Sequence, residues 1–356
     1  MNHLANIQEK LKHYDLEAML VTSEPGEAYA VGFHGEGVVL VTEGACCYYT
    51  DSRYIEAARA QVTGCSVTAI ARGRDHLALA QAEIARQGLR RVGIQEDAMT
   101  LREYRRWQEA LGSGVELIPA GQLILELRAA KDEEELELMR AAQDVTDKTF
   151  LEILNHVKPG VTEQEIAAKL TYYQMKFGGS RNSFDPIVAS GPNGSMPHAI
   201  PGPRAVGSGE LVTMDFGCMV GGYCSDMTRT VAVGSVTEEM EKVYQTVLRA
   251  QLAGIAAVHA GVLGKEVDLA ARRVIEQAGY GEYFGHGFGH SLGLEIHESP
   301  NFRLTSQEVI PEGGVLSAEP GIYLPGKFGV RIEDVVWVRP EGCEILTRSP
   351  KELIVL

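Results

Sequence analysis

Asp215 lies in Leu-Val-Thr-Met-Asp-Phe-Gly and Asp226 in Cys-Ser-Asp-Met-Thr-Arg-Thr, with Gly221-Gly222 midway between them. A two-residue glycine turn predicts a β-hairpin, whose register sets Asp215 opposite Thr228 and Asp226 opposite Gly217. Side chains alternate along a strand, so both carboxylates share one face at diagonal positions roughly 7–8 Å apart, within reach of one ion. Aspartates on the wet face of an ordinary hairpin are the alternative. The apolar neighbours Val212, Met214, Phe216, Met219, Val220 and Val231 favour a buried face, and buried like charges require a cation.

Histidine is the second signal. Gly285-His286-Gly287-Phe288-Gly289-His290 is followed closely by Glu295-Ile296-His297-Glu298. One histidine in an apolar strand is ordinarily a satisfied core residue. Three so close together, beside an aspartate pair and among glycines that let backbone approach a ligand, suggest a site. No HExxH is present, which excludes a helical zincin site. Glu319 in Leu-Ser-Ala-Glu-Pro-Gly and Glu333 in Val-Arg-Ile-Glu-Asp-Val-Val then place carboxylates inside apolar strand patterns, where an unpaired charge is costly. Four carboxylates with histidine are too acidic a set for structural zinc. They suit two divalent ions of the Mn, Co, Zn or Fe kind, about 3.5–4 Å apart, sharing carboxylates and a water acidified to a nucleophile near neutral pH.

The elements that must hold these residues fall into two blocks. Up to about residue 120, strand patterns at 18–22, 38–42, 47–50, 92–95 and 115–119 alternate with helical ones at 2–14, 52–62, 75–88 and 100–111, an α/β domain. Gly32, Gly35 and Gly37 do not form GxGxxG, so they mark a turn and no dinucleotide cradle. A charged helical stretch from Lys131 to Val157 opens the second block, and Thr162 with Glu165 predicts a capping box on the next helix. Strand patterns follow at 184–190, 210–220 and 223–233. Helices at 238–259 and 266–278 and strands near 292–297, 314–320, 329–338 and 343–356 then repeat the order. Two helices followed by strands, stated twice, predict an α+β domain of two related halves round a mostly antiparallel sheet. We set the domains at 1–122 and 123–356.

The chain of 356 residues carries 33 Lys and Arg against 48 Asp and Glu, a formal charge of −15, with 45% hydrophobic and 23% charged residues. That composition excludes disordered, collagen-like and coiled-coil chains. The acidity argues against nucleic acid and anionic membrane as partners and suits cation binding. No apolar run is long enough to span a bilayer, and the first helix pattern carries Gln8, Glu9, Lys10 and Lys12 where a signal peptide is apolar, so a cytoplasmic location is expected. Cys46, Cys47, Cys65, Cys218, Cys224 and Cys343 show no CxxC spacing, and neither a disulfide framework nor a cysteine zinc site is expected. Cys218 and Cys224 are read as buried thiols.

Taken in order, the Asp215 and Asp226 hairpin, Gly-His290-Ser-Leu-Gly-Leu-Glu-Ile-His297, Ala-Glu319-Pro-Gly and Arg331-Ile-Glu333-Asp resemble the five ligand-bearing segments of the pita-bread metallopeptidases, the group of methionine aminopeptidase, aminopeptidase P and prolidase. The likeness runs from about residue 125 to the C-terminus. The first 120 residues resemble the creatinase-type N-terminal domain that aminopeptidase P and prolidase carry and a minimal methionine aminopeptidase lacks. The resemblance implies a pita-bread catalytic domain binding two divalent ions, Mn2+ first and Co2+ or Zn2+ next. It implies Asp215 as chelator of one ion, Asp226 and Glu333 as bridges, and His290 and Glu319 completing the other, with Glu319 also the proton acceptor. His198, in Gly-Ser-Met-Pro-His-Ala, and His297 match residues that polarise the scissile carbonyl and stabilise the tetrahedral intermediate. His286 matches a pocket position, and Tyr323 and Arg331 match partners of the metal carboxylates. Creatinase has lost ligands that this chain keeps, which argues against creatine hydrolysis.

The implied activity is removal of an N-terminal residue that precedes proline, acting on short proline-containing peptides in a homodimer, with the N-terminal domain either restricting access or building the dimer. Prolidases, which take only dipeptides, hold the free carboxylate with an Arg soon after the His-Glu-x-Pro segment. Here that segment reads His297-Glu298-Ser299-Pro300-Asn301, with Arg303 slightly later, and this favours Xaa-Pro aminopeptidase over Xaa-Pro dipeptidase. A catalytically silent pita-bread binding protein is the alternative from another class, disfavoured by the complete ligand set.

Overall fold

Runs of β-branched and aromatic residues at one-strand length, separated by capped amphipathic stretches, account for the first unit of the computed structural model, which describes residues 2–356. The chain divides into two units, the first ending at Arg128 and the second starting at Ala129. The first unit runs α1 (Leu4–His13), β1 (Ala18–Val21), α2 (Glu24–Val31), β2 (Gly37–Thr42), β3 (Cys46–Thr50), α3 (Ile55–Gln61), β4 (Ser66–Ala69), α4 (His76–Gln87), β5 (Arg91–Ile94), α5 (Leu101–Leu111), β6 (Glu116–Pro119) and α6 (Gly121–Arg128). Its six strands order as β4-β3-β2-β1-β5-β6, with β2 antiparallel to both neighbours and the β3–β4, β1–β5 and β5–β6 pairs parallel. Ala18, Leu20, Val38, Leu40, Val92 and Ile94 form one apolar face, packed with Leu79, Ile84 and Trp107 of α4 and α5.

The first unit differs from the sequence reading in three respects. The division falls after 128 and not at 122, because α6 belongs to the first unit: Leu123 and Ile124 are buried, Lys10 pairs with Glu126 at 2.8 Å, and Tyr29 donates to the Leu127 carbonyl. Helix α2 and strand β4 were not anticipated. The first starts at a Ser23 cap with Pro25 just inside, a start signal hidden by the shortness of the helix. Cys46 and Cys65 form a disulfide, contrary to expectation. The parallel β3–β4 register sets Cys47 beside Ser66 and so brings the preceding cysteines together, which linear spacing does not reveal. Cys47, Cys218, Cys224 and Cys343 are free, and Cys218 and Cys224 are buried.

The second unit contains α7 (Glu133–Ile153), α8 (Glu163–Lys176), β7 (Arg181–Asn182), β8 (Ile187–Ser190), β9 (Glu210–Phe216), β10 (Cys218–Val220), β11 (Tyr223–Cys224), β12 (Met227–Val233), α9 (Glu238–Ala256), α10 (Gly264–Gln277), β13 (Gly289–Ser291), β14 (Glu298–Phe302), β15 (Val315–Ala318), β16 (Gly321–Leu324), β17 (Phe328–Arg331), β18 (Asp334–Arg339) and β19 (Gly342–Ile345). All its strand pairs are antiparallel. Helices α7 and α8 cover the β12-β9-β8 sheet through Phe150, Ile153, Ile166 and Leu170, and α9 and α10 cover the β14-β13-β15-β18-β19 sheet through Val243, Val247, Val267 and Ala271. The Thr162–Glu165 capping box is present.

The strand pattern near 292–297 is a turn between β13 and β14, where Leu292 and Leu294 are buried without a ladder. The pattern at 184–190 contracts to β8, since Pro186 has no N–H to give. The stretch at 343–356 keeps only β19 as strand; beyond it the chain is bridged to β12 through Ala232 and Val355. Among the described residues no helix is long and apolar enough to cross a membrane.

Glu27 in α2 is 2% exposed. Burial pushes its carboxyl up to about 8, offset only in part by the Gly37 backbone and the Tyr48 hydroxyl. A folded-state value above the unfolded one means that the folded chain holds a proton which the unfolded chain releases between about pH 4.5 and 8, so stability falls as pH rises through that window. Glu27→Gln should therefore melt like the parent at pH 4.5 and be more stable on the order of 1–3 kcal/mol at pH 8, read by thermal unfolding across pH. An equal difference at both pH values would contradict the buried neutral carboxyl.

Candidate metal centre

The hairpin carries the register that the glycine pair predicts: Asp215 faces Thr228 and Phe216 faces Met227 on the inner part, Val220 faces Tyr223 beside the turn. Gly221 and Gly222 both have positive φ, 57° and 87°, the turn that glycine alone adopts freely. Between the two parts the ladder is interrupted at Gly217. A Cβ there would lie 2.0 Å from the Ser225 carbonyl oxygen, so only glycine allows the approach that delivers Asp226. Both aspartates are buried.

The second half of the domain brings the partners. Ligand atoms of Asp226, His290 and Glu333 all lie within 4.8 Å of one another. His290 Nε2 is 3.3 Å from Glu319 Oε1 and 3.6 Å from Asp226 Oδ2. His290 Nδ1 faces the Ser291 carbonyl at 3.1 Å; a carbonyl only accepts, so Nδ1 carries a proton and Nε2 is the nitrogen turned into the cluster. Asp215 joins through Arg331, whose Nη2 donates to Oδ2 at 2.6 Å.

Glu319 and Glu333 do not sit within strands as their apolar neighbours suggested. Glu319 falls between β15 and β16, and Glu333 between β17 and β18, where the chain passes from one sheet to another.

Two hydroxyls that sequence reading missed orient the carboxylates. Thr228 Oγ1 donates to Glu333 Oε2 at 2.7 Å and accepts from Arg331 Nε at 3.0 Å. Ser317 Oγ donates to Glu319 Oε1 at 3.2 Å and accepts from the His290 N–H at 3.0 Å. Each lies two residues from an acid, Thr228 after Asp226 and Ser317 before Glu319, and that spacing was the available signal. Arg331 Nη1 donates to the Tyr323 hydroxyl at 2.8 Å, and this hydroxyl lies 2.9 Å from His286 Nε2. His286 Nδ1 bonds the Gly287 carbonyl, so Tyr323 donates onward to Nε2. The His297 ring packs edge-on against His290 with centroids 4.4 Å apart. His198 is exposed and lies within electrostatic range of His297; its neighbour Pro197 accepts from Arg331 at 3.3 Å.

The charges do not balance from within. Burial, then the Asp215 carboxylate, pushes Asp226 well above the carboxyl range, and burial, then Asp226, does the same for Glu333. Burial raises Asp215 despite Arg331. Burial would raise Glu319 too, but the His290 hydrogen bond and charge hold it at about 2. Burial opposes protonation of His290, but Glu319 and Asp226 outweigh it and raise the imidazole to about 9. Asp215 Oδ1, Asp226 Oδ1 and Glu333 Oε1 are buried without a hydrogen-bond partner. Oxygens so placed beside an imidazole lone pair fit divalent cations of the hard to borderline kind, which would replace the protons that the carboxyls and His290 otherwise retain.

Residues 137–340 match Metallopeptidase family M24, and residues 3–130 match the Creatinase/Prolidase N-terminal domain. An uncharacterized peptidase of Bacillus subtilis is 39% identical over 342 residues, 96% of each chain. Among solved structures, an Xaa-Pro dipeptidase from Bacillus anthracis superposes with a TM-score of 0.95 at 38% identity, covering 99% of both chains. An X-Pro aminopeptidase from Thermotoga maritima gives 0.91 at 34%, covering 98% of this chain and 100% of that one. With the candidate ligand residues gathered and both domains matched, the chain belongs to metallopeptidase family M24, with a creatinase-type N-terminal domain followed in sequence by a pita-bread catalytic domain.

Proposed function

We propose that this metallopeptidase is a dinuclear exopeptidase that removes the N-terminal residue from peptides with proline second. The observation that carries a cation-dependent reaction is the set of three buried carboxylate oxygens without donors, on Asp215, Asp226 and Glu333, the last two clustered with His290. Two divalent ions, Mn2+ first and Co2+ or Zn2+ on the same donors, would supply Lewis acidity and a water acidified to a nucleophile near neutral pH. Asp215, whose Oδ2 is fixed by Arg331, would hold one ion, Asp226 and Glu333 would be shared, and His290 with Glu319 would hold the other. Glu319, whose Oε1 is aimed by the Ser317 hydroxyl, would take the proton of the attacking water. His198 and His297 polarise the scissile carbonyl and stabilise the charge that develops on it. His297 suits this role as a neutral donor, because burial and the neighbouring His290 lower its pKa. A bond to proline needs such an enzyme because its tertiary amide offers no N–H and its ring fixes the chain.

A dipeptidase must also hold the substrate's free carboxylate beside a site already rich in acids, which requires a well-placed cation. The Asn301 amide donates to Glu308 at 2.9 Å, Arg303 is exposed, and Arg331 is committed to Asp215 and Tyr323. These favour the aminopeptidase. The dipeptidase is the second reading, favoured by the likeness to the Bacillus anthracis protein. Homodimerisation rests on family resemblance, and light scattering should return twice the 38.7 kDa chain mass.

Chelated protein should lose nearly all turnover and regain it with Mn2+ or Co2+, and Asp226→Ala or Glu333→Ala should lose metal by elemental analysis as well as activity. Full turnover in protein shown to hold no metal would end the dinuclear reading. Thr228→Val removes the hydroxyl that aims Glu333 and should weaken metal binding roughly 10–100-fold, with Thr228→Ser recovering most of it, both read by metal titration. Finally, kcat/KM for Ala-Pro-Ala should equal or exceed that for Ala-Pro. A dipeptide preference above about tenfold, or 1.4 kcal/mol, would make the protein a dipeptidase with a carboxylate clamp.

A further inference from the structure

His198 is carried by a segment that hydrophobic burial does not hold. Between Gly191 and Pro203 only Ala199 among the apolar side chains is buried, while Met196 is 51% and Ile200 88% exposed. A surface loop of this kind is mobile unless something polar fixes it, and a reacting group displaced by about 1 Å costs on the order of 100-fold in rate.

The fixing group is Glu163, the first residue of α8, which is fully buried. One carboxylate oxygen, Oε1, accepts from the Ser190 N–H and hydroxyl, both at 2.8 Å, and from Asn193 Nδ2 at 3.0 Å. The other, Oε2, accepts from Asn193 Nδ2 at 3.1 Å and from the Gly202 N–H at 3.2 Å. One carboxylate therefore grips the segment where it leaves β8, at its first turn, and where it returns. Gly202 is tied to α8 in both directions, since its carbonyl accepts from the Gln164 N–H at 3.1 Å. Arg204, paired with Glu210, donates to the Ser190 hydroxyl at 2.6 Å and so holds that group from the other side.

Within the span so fixed, local geometry leaves His198 little freedom. The Met196 N–H bonds the Asn193 carbonyl at 3.0 Å, and the Ala199 N–H bonds that of Met196 at 3.1 Å, a turn with Pro197 at its second position and His198 at its third. Gly194 abuts β17 so closely that a Cβ on Gly329 would lie 1.9 Å from the Gly194 carbonyl. Arg331 holds the Pro197 carbonyl. We infer that Glu163 is a positioning residue for the reaction: its buried carboxylate sets where His198 meets the substrate carbonyl.

This rests on the exopeptidase reading only through the role given to His198. Glu163→Gln is close to isosteric. With its oxygen kept toward Ser190, its amide nitrogen faces the Gly202 N–H and the second Asn193 contact, donor against donor, so the return end is released while Ser190 and one Asn193 bond are kept. In full-length Mn2+-loaded protein acting on Ala-Pro-Ala, kcat should fall about tenfold or more, with KM within about threefold and metal content unchanged. The cycle with His198→Ala should be strongly non-additive: the double variant should be no more than about threefold slower than His198→Ala alone. Hydrogen exchange should quicken at Gly202 and through 191–201 while the core of α8 keeps its protection. A kcat within twofold of the parent, additive losses, or unchanged exchange in the loop would each overturn the inference. Failure of the parent to cleave any Xaa-Pro peptide would defeat the exopeptidase reading instead, and the exchange measurement would still decide whether Glu163 holds the loop. Should Glu163→Gln lose its melting transition, the same cycle with Asn193→Ala, which leaves α8 intact, decides: a smaller but non-additive kcat loss sustains the inference, and an additive one overturns it.

Discussion

Like charges buried together without donors set the terms for the rest of the catalytic domain. Asp215, Asp226 and Glu333 each present an oxygen that no protein group satisfies, and the donors nearby are already spent: Arg331 on the second oxygen of Asp215, Thr228 on that of Glu333. A domain shaped for stability alone would fill the same volume with apolar side chains. Here the hydrogen bonds to Asp215 and Glu333 take one oxygen of each carboxylate and leave the other free. They orient the carboxylates and leave neutralisation to an external cation.

Placing those oxygens demands interruptions in the sheets. A residue within a regular ladder points straight up or down from its strand, and only Asp215 among the five candidate ligands lies inside a strand without irregularity. Asp226 directly precedes β12 across from the Gly217 break, His290 stands at a bulge, and Glu319 and Glu333 occupy the joints where the chain changes sheet. Bulges and breaks re-aim side chains. The opposite side of the same segments carries a second set of charges, and this one is closed. Arg229, next to Thr228, pairs with Asp334, next to Glu333, at 2.8 Å; Asp334 also pairs with Lys351, and Arg229 bonds the Ser349 and Pro350 carbonyls. Period-two alternation thus puts a compensated ion network behind an uncompensated one and draws the C-terminal segment against the back of the site.

What the sequence made legible follows from which signals are local. The hairpin register could be read because the Gly221-Gly222 turn fixes it and the alternation fixes the face. The helix pairs could be read from caps and periodicity. Glu319 and Glu333 stood out as acids in apolar runs, but the same runs concealed the sheet changes at those residues, since burial on both sides of a joint looks like one long strand. The turn at 292–297 was misread for that reason, its leucines being buried without pairing. Thr228 and Ser317 offered only their two-residue spacing from an acid, and Glu163 no signal: each acts through partners between 2 and 105 positions away, and an acid at a helix start is ordinarily explained by local capping. The disulfide was invisible because parallel strand pairing, not spacing, brings its cysteines together.

One side chain connects the metal-facing and substrate-facing parts of the centre. The Arg331 guanidinium gives Nη2 to Asp215, Nε to Thr228 and thereby to Glu333, and Nη1 to both Tyr323 and the Pro197 carbonyl beside His198. Its backbone is fixed as well, with Thr230 Oγ1 bonding both its N–H and its carbonyl. The planar fork reaches four groups in fixed directions, which a lysine ammonium on a flexible stem cannot reproduce. A shift of the carboxylates is in this way felt at Tyr323 and His286 on one side and at the His198 segment on the other. The Glu163 clamp fixes that segment from its far end. The His198 segment is therefore held between two charged anchors, Arg331 at the carboxylate cluster and Glu163 at the start of α8.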